Sequence, residues 1–191
     1  MIISLSGAQG SGKSTIAQML AVKLNWPRYY VGGFRREAAK ARGLTLAQYN
    51  ALGEEDFSTD REFDEFQKKL GETKDNFIIE GRTSWYFIPH SVKIYLDVNP
   101  DEGAKRIFSH LQQKNDRNED ENLDSWQAVK VSNERRLASD NLRYQKYYGF
   151  NVHEYKHYDF CLDTSSLSID EVFDVVWKFI EKKRAELIKV A

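Results

Sequence analysis

Gly7-Ala8-Gln9-Gly10-Ser11-Gly12-Lys13-Ser14 follows directly on the apolar run Ile2-Ile3-Ser4-Leu5. The pattern is G-x-x-x-x-G-K-[ST], and its residue types suit one task, holding the phosphates of a nucleoside triphosphate. Gly7, Gly10 and Gly12 let the backbone turn several N–H groups toward one anion. The start of the helix that follows, at Lys13, Ser14 and Thr15, adds its partial positive charge. Lys13 has the reach for the β- and γ-phosphates, and Ser14 can offer its hydroxyl to Mg²⁺.

Moving a phosphoryl group asks for position and positive charge more than for covalent help. Arginines near strand ends are therefore the next residues to weigh. Arg35 and Arg36 follow Gly32-Gly33, and Glu80-Gly81-Arg82 closes another apolar run. Glu80 could hold a metal-bound water or cap its loop, and Arg82 could enter a crevice or form a surface ion pair; behind a phosphate loop the functional alternatives are the stronger. Asp97 also ends an apolar run and competes with Glu80, but the adjacent Gly81-Arg82 favours Glu80. Arg136, Asp140 and Arg143 stand at i, i+4 and i+7, on one helix face. That face is either a solvated ion pair worth a few tenths of a kcal/mol or two guanidinium groups closing on phosphates, with Asp140 orienting one of them or holding a ribose hydroxyl. Asp60, Asp64 and Gln67 likewise share a face opposite Phe63, Phe66 and Leu70. They are a solvated face, or they hydrogen-bond a base or an arginine. His153 and His157 have i,i+4 spacing but no evident further ligands, so a metal there is not expected. Trp85-Tyr86-Phe87 is expected to be core or pocket wall.

These residues need a scaffold that brings them to one edge. Short apolar runs alternate with helical patterns, as in βαβ units with a parallel sheet. Strands are expected over 2–5, 29–31, 77–80, 93–98 and 160–163, and helices over 13–24, 33–42, 45–52, 59–70, 100–112, 124–148 and 169–189. Two insertions leave from the carboxyl edge, where ligands of doubly wound sheets sit: helices between the second and third strands, and the polar stretch from Lys114 to Asn122 ahead of the long helix. Both could close over a substrate. A chain of 191 residues with 28 basic and 29 acidic side chains, net charge −1, reads as one domain without a dedicated nucleic-acid or membrane surface. The single cysteine, Cys161, cannot form an internal disulfide, and with the strand and loop at the very start a cytoplasmic monomer is the expectation.

On these residues the chain resembles the nucleoside monophosphate kinases, and most closely the short archaeal and bacterial cytidylate kinases, from Met1 to Lys182. Tyr30-Val31-Gly32-Gly33-Phe34-Arg35-Arg36 resembles the adenylate kinase T-G-D-L-L-R segment, with Gly33 in place of the aspartate. Residues 39–44 and 58–67 resemble the A-K-x-R-G-x and D-R-x-x-D-x-x-Q segments of the short cytidylate kinases, Glu80-Gly81-Arg82 resembles their D-G-R, and residues 158–164 their closing strand. The resemblance implies a P-loop kinase α/β three-layer sandwich: a five-stranded parallel sheet, a helical acceptor-binding insertion at 33–72 and a short lid at 112–124. It implies ATP and Mg²⁺, with residues 7–15 on the donor phosphates, Arg106 on the adenine, Ser14 on the metal and Glu80 in the metal's outer shell. It places Arg36 and Arg82 on the acceptor phosphate, Asp60, Asp64, Gly81, Asp140 and Arg143 elsewhere on the acceptor, and Lys13, Arg82, Arg136 and Arg143 in catalysis. Many bacterial members carry an aspartate where Thr83 stands, and often an arginine where His110 stands; Lys114 or Arg117 could replace the latter. The implied reaction is phosphorylation of CMP or dCMP. The alternatives are a kinase for UMP, AMP or a non-nucleotide acceptor, or a regulatory ATPase of the same fold.

Overall fold

The computed structural model describes residues 1–113 and 119–190. Five parallel strands, β1 (Ile2–Gly7), β2 (Arg28–Tyr30), β3 (Phe77–Glu80), β4 (Val92–Asp97) and β5 (Phe160–Asp163), lie in the order β2-β3-β1-β4-β5. β1 is central, with Leu5 opposite Glu80 on one side and Ile94 on the other. β1 and β3 are buried throughout and β4 at its middle, which is why these strands read as continuous hydrophobicity, while β2 and β5 at the rims are half-buried. Ile3, Leu5, Ile78, Ile94 and Leu96 pack on α1 (Lys13–Leu24) and α8 (Ile169–Val190) through Ile16, Leu20, Val176 and Ile180. On the opposite face Ile2, Phe77 and Ile79 meet Val31 of α2 (Val31–Ala41) and Leu70 of α4 (Ser58–Thr73). The result is the expected three-layer sandwich.

Between β2 and β3 stand α2, α3 (Leu46–Glu55) and α4. α3 begins with a capping box in which Thr45 and Gln48 satisfy each other's backbone N–H groups. α6 (Pro100–Leu111) starts on Asn99, whose side chain accepts from the backbone N–H of Asp101 at 2.9 Å. α7 (Trp126–Tyr148) packs on it through Ile107 and Val129.

The boundaries differ from expectation where side chains override local pattern. α2 begins at Val31 instead of Gly33, with no loop after β2. The two glycines make this possible: a Cβ on Gly32 or Gly33 would run into the Tyr30 ring, which lies against the first turn. α7 begins at Trp126 because Ser125 caps it, accepting from Ala128 N at 3.2 Å. A short helix, α5 (Ser84–Phe87), and a 3₁₀ turn at Tyr155–His157 were not foreseen. Lys114 and Arg117, proposed as stand-ins for an adenine-packing arginine, lie outside the described residues. Among the described residues no helix is long and apolar enough to cross a membrane.

Candidate active site

The glycine loop hangs between the end of β1 and α1. Its backbone is fixed from the side of β4 and α6: Ala8 N donates to Leu96 O at 3.0 Å. A Cβ on Gly10, where φ is +81°, would collide with the backbone of Gly103 in α6. Gly12 caps α1 in the left-handed region, with φ 85°, and supplies no side chain to the first N–H groups. They are left to point at an anion. Lys13 Nζ donates to Ala8 O at 2.5 Å, and Ser11 Oγ donates to the same oxygen at 2.9 Å. A cavity of about 870 Å³ runs from residues 10–16 past Arg106 and His110 to Leu167, Ser168 and Ile169. Arg106 is held there by Glu102 at 3.1 Å and by Thr164 O at 2.9 Å. Gly7, Ala8 and Gln9 lie behind this cavity and shape the loop from the strand side.

Ser14 Oγ donates to Glu80 Oε2 at 2.7 Å, while Arg28 Nε donates to Glu80 Oε1 at 2.5 Å. Asp97, the competing carboxylate, accepts from Tyr155 and from Val98 N instead. The hydroxyl–carboxylate pair of Ser14 and Glu80 offers the hard oxygen donors that suit Mg²⁺.

A second cavity, of about 110 Å³, adjoins the first. Lys13, Ser14, Tyr30 and Arg36 line both. Its far wall carries Asp60, Asp64 and Gln67 from α4, Gly81, Arg82 and Thr83 from the β3 edge, and Arg136 and Asp140 from α7. Two chains of ion pairs hold these groups. In the first, Arg82 pairs with Asp140; Arg143 bridges Asp140 at 2.5 Å and Asp60 at 2.6 Å; and Asp60 also takes Arg35 at 2.6 Å. In the second, Glu119 takes Arg36 at 2.5 Å and Arg136 at 3.0 Å. Burial, with Arg143 beside it, pushes the Arg82 guanidinium below its ordinary range. Burial together with Arg82 and Arg36 brings Arg136 down to about 9. Crowded, partly desolvated cations of this kind favour an incoming anion.

Several sequence expectations thus meet in one place: Lys13, Ser14, Glu80, Arg36, Gly81, Arg82, Arg136 and Asp140 line one continuous crevice. Between Arg135 and Arg136, Arg136 faces it and Arg135 is exposed. Arg143 differs from expectation. It is 0% exposed, lies behind the wall with its arms on Asp60 and Asp140, and does not line the cavity. α4 also differs. Asp60, Asp64 and Gln67 are buried while Phe66, on the opposite apolar face, is 36% exposed. The polar face can go inward because Arg35, Arg143, Tyr148 and Ser84 satisfy it. Burial, and more weakly the charge of Asp60, raises the Asp64 carboxyl to about 7. Sequence reasoning missed Tyr30, Asn50, Arg28 and Glu119. Tyr30 and Asn50 line the smaller cavity and hold its arginines; Tyr30 heads the segment that resembles T-G-D-L-L-R but carries no role there, and no motif marks Asn50.

His153 is hydrogen-bonded to Tyr95 at 2.6 Å, and burial with Arg82 and Lys13 nearby lowers it to about 3. His157 stacks on Trp85 with centroids 4.2 Å apart. No cluster of metal-ligating side chains occurs among the described residues.

Residues 2–166 match the sequence profile of the cytidylate kinase-like family. A cytidylate kinase of Halobacterium salinarum is 30% identical, over 97% of this chain and 92% of that protein. One of Natronomonas pharaonis is 35% identical, over 92% of this chain and 87% of that protein. One of Methanocorpusculum labreanum is 31% identical, over 92% and 94%. Among solved structures, an uncharacterized protein from Eubacterium ventriosum superposes with a TM-score of 0.67 at 17% identity, covering 95% of this chain and 98% of that one. A shikimate kinase from Bacteroides thetaiotaomicron gives 0.62 at 16% identity, with the same coverage. At such identity the two structures speak to the fold alone.

Proposed function

The chain belongs to the cytidylate kinase-like family, and from that membership we propose that it is a nucleoside monophosphate kinase that transfers the terminal phosphoryl group of ATP to CMP or dCMP. The observation that carries this reading is the meeting of two cavities at Lys13, Ser14 and Arg36. One is wide and begins at a phosphate loop. The other is small and lined with arginine. Donor and acceptor phosphates would face each other at the junction, which suits in-line transfer.

The loop amides and Lys13 would hold the donor phosphates, with Arg106 beside the adenine. Ser14 and Glu80 would hold Mg²⁺, which when bound supplies charge neutralisation to the phosphates. Arg36 and Arg82 would take the acceptor phosphate from two sides, exchanging their carboxylate partners for it. Arg136 would stabilise charge on the moving group. The attacking oxygen belongs to a phosphate that is already an anion, so no general base is required. The burial of Arg143 suits a supporting role, fixing Asp60 and Asp140 behind the contact residues. The single domain would close its insertion at 33–72 over the substrates, keeping water from competing; the middle of the lid expected at 112–124 lies outside the described residues. One chain lines both cavities, which suits a monomer. Cys161, half-buried and without a second cysteine to pair with, suits the cytoplasm.

An ADP-release assay across CMP, dCMP, UMP, AMP and shikimate-type hydroxy acids tests the reading. CMP and dCMP are expected to give the highest kcat/KM. Background turnover with both, alongside a different active acceptor, would overturn it, as would ATP hydrolysis indifferent to any acceptor.

A further inference from the structure

Arg28 lines neither cavity, yet it grips Glu80, the carboxylate placed at the metal. The strand register explains the reach. Tyr30 stands opposite Glu80 and Arg28 opposite Ile78, so Arg28 is the diagonal neighbour of Glu80. Ser14 and Gln18, four residues apart on one face of α1, meet the same pair from above. Glu80 is 2% exposed, and both of its oxygens are taken. Oε1 accepts from Arg28, through Nε at 2.5 Å and through Nη2, and Oε2 accepts from Ser14 at 2.7 Å. The head of Arg28 is itself fixed. Its Nη1 donates to Gln18 Oε1 at 2.9 Å, and its guanidinium lies 5.3 Å from the centroid of the Tyr30 ring. With every nitrogen of the planar fork engaged, the group has one orientation and faces Glu80 in it.

A carboxylate beside a hydroxyl is a ligand set for a hard divalent cation. Buried, it is also costly to keep charged without a partner. Arg28 is that partner, supplied by the chain itself. Lys13 lines both cavities next to Ser14. The ionic groups around Ser14 are therefore the cations Lys13 and Arg28 against the carboxylate of Glu80, and the balance is positive. A bare divalent cation is repelled by such a balance. A triphosphate on the loop reverses it, because its oxygens bring negative charge to the same place.

We propose that Arg28 is a built-in counter-cation of Glu80. It keeps the carboxylate charged and aimed at Ser14 in the free protein, and it restricts divalent cations to those that arrive with the triphosphate. Arg28 is a positioning residue in this scheme: it touches Glu80 and not the substrates. The inference rests on the reading of Ser14 and Glu80 as the residues that hold the metal, and it names what keeps them from taking one when no nucleotide is bound.

Equilibrium dialysis with Mn²⁺ as the probe tests this without turnover. Wild type should take up little Mn²⁺ alone and should take it up readily with ATP. Arg28→Gln removes the charge and keeps a polar side chain beside Glu80. Without nucleotide it should bind Mn²⁺ at least about tenfold more tightly than wild type, since a unit charge a few ångström away weighs more than that in binding. Arg28→Lys keeps the charge and should return to the wild-type value. Adding Glu80→Gln to Arg28→Gln should abolish the uptake. If Arg28→Gln does not fold alone, Mn²⁺ should restore its near-ultraviolet circular dichroism where NaCl of equal ionic strength does not, because the ion replaces the missing cation; failure to do so overturns the proposal. A pair that merely ties β2 to the sheet predicts a lower melting temperature for Arg28→Gln and Mn²⁺ uptake within about twofold of wild type. That result overturns the proposal, as does uptake that survives Glu80→Gln, or a wild type that binds Mn²⁺ equally well with and without ATP. A wild type that takes no Mn²⁺ even with ATP sinks the donor site and this proposal together. A wild type that needs ATP, with an unmoved Arg28→Gln, sinks only the role of Arg28.

Discussion

The two halves of the crevice are made of different material. The donor half is backbone: eight consecutive residues from Gly7 to Ser14, bent by glycines with φ of 144°, 81° and 85° and wedged against α6. The acceptor half is side chain: guanidinium and carboxyl groups from α2, α4, β3 and α7 locked in buried pairs. Backbone amides are in place once the fold is made and carry no desolvated net charge. Buried ion pairs depend on every partner, and removing one leaves its mate desolvated and alone. The donor half should therefore separate function from stability under mutation, and the acceptor half should not.

The sharpest break between them would be Lys13→Ala. We expect kcat to fall roughly 10³-fold while the melting temperature stays unchanged; a normal kcat in the folded variant would remove Lys13 from the chemistry. Next comes Asp60→Ala, which strips the carboxylate shared by Arg35 and Arg143. Urea unfolding should show a loss of about 3–5 kcal/mol, and a loss under about 1 kcal/mol would mean the pair is solvated after all. Arg106→Ala should raise KM for ATP about tenfold, the loss of one modest contact, and leave KM for CMP unmoved. A matching rise in both would show that the halves are not independent. The smallest effect is a pH dependence. Asp64 is raised from its ordinary 3.8 to about 7, so the folded protein holds this proton more tightly than the unfolded chain does. Its contribution is complete below about pH 4 and is lost as pH climbs to about 7. Asp64→Asn should gain stability relative to wild type across that window and no further above it. Parallel melting curves from pH 4 to 8 would expose the opposite slope.

The same contrast explains what could be read from the sequence. A contiguous backbone motif announces itself, so residues 7–14 and the helix Lys13–Leu24 were legible to the residue. Glu80 could be preferred to Asp97 because Gly81-Arg82 follows it, and the structure puts it on Ser14. The acceptor wall was legible only as candidate faces. Periodicity shows that Asp60, Asp64 and Gln67 share a side of α4, but whether that side is wet depends on Arg35, Arg143 and Ser84, remote in sequence. Glu119 sits in a run of polar residues that reads as a solvated loop, and nothing local marks it as the carboxylate shared by Arg36 and Arg136. The orientation of the Gln67 amide likewise depends on a hydroxyl 17 residues away.

The position of β1 between β3 and β4 has a kinetic side. Its amides are bonded into the middle of the sheet and are reached by solvent only when the whole domain opens, so Ile3 and Leu5 should be among the slowest to exchange their protons. The glycine loop is tethered to that slow region. The helices α2, α3 and α4 leave instead from β2, a strand of three residues at the sheet's rim, and return into β3 beside β1. Fraying at a rim is a local event. Amides of β2 and of the first turn of α2 should therefore exchange ahead of those of β1 and the donor loop.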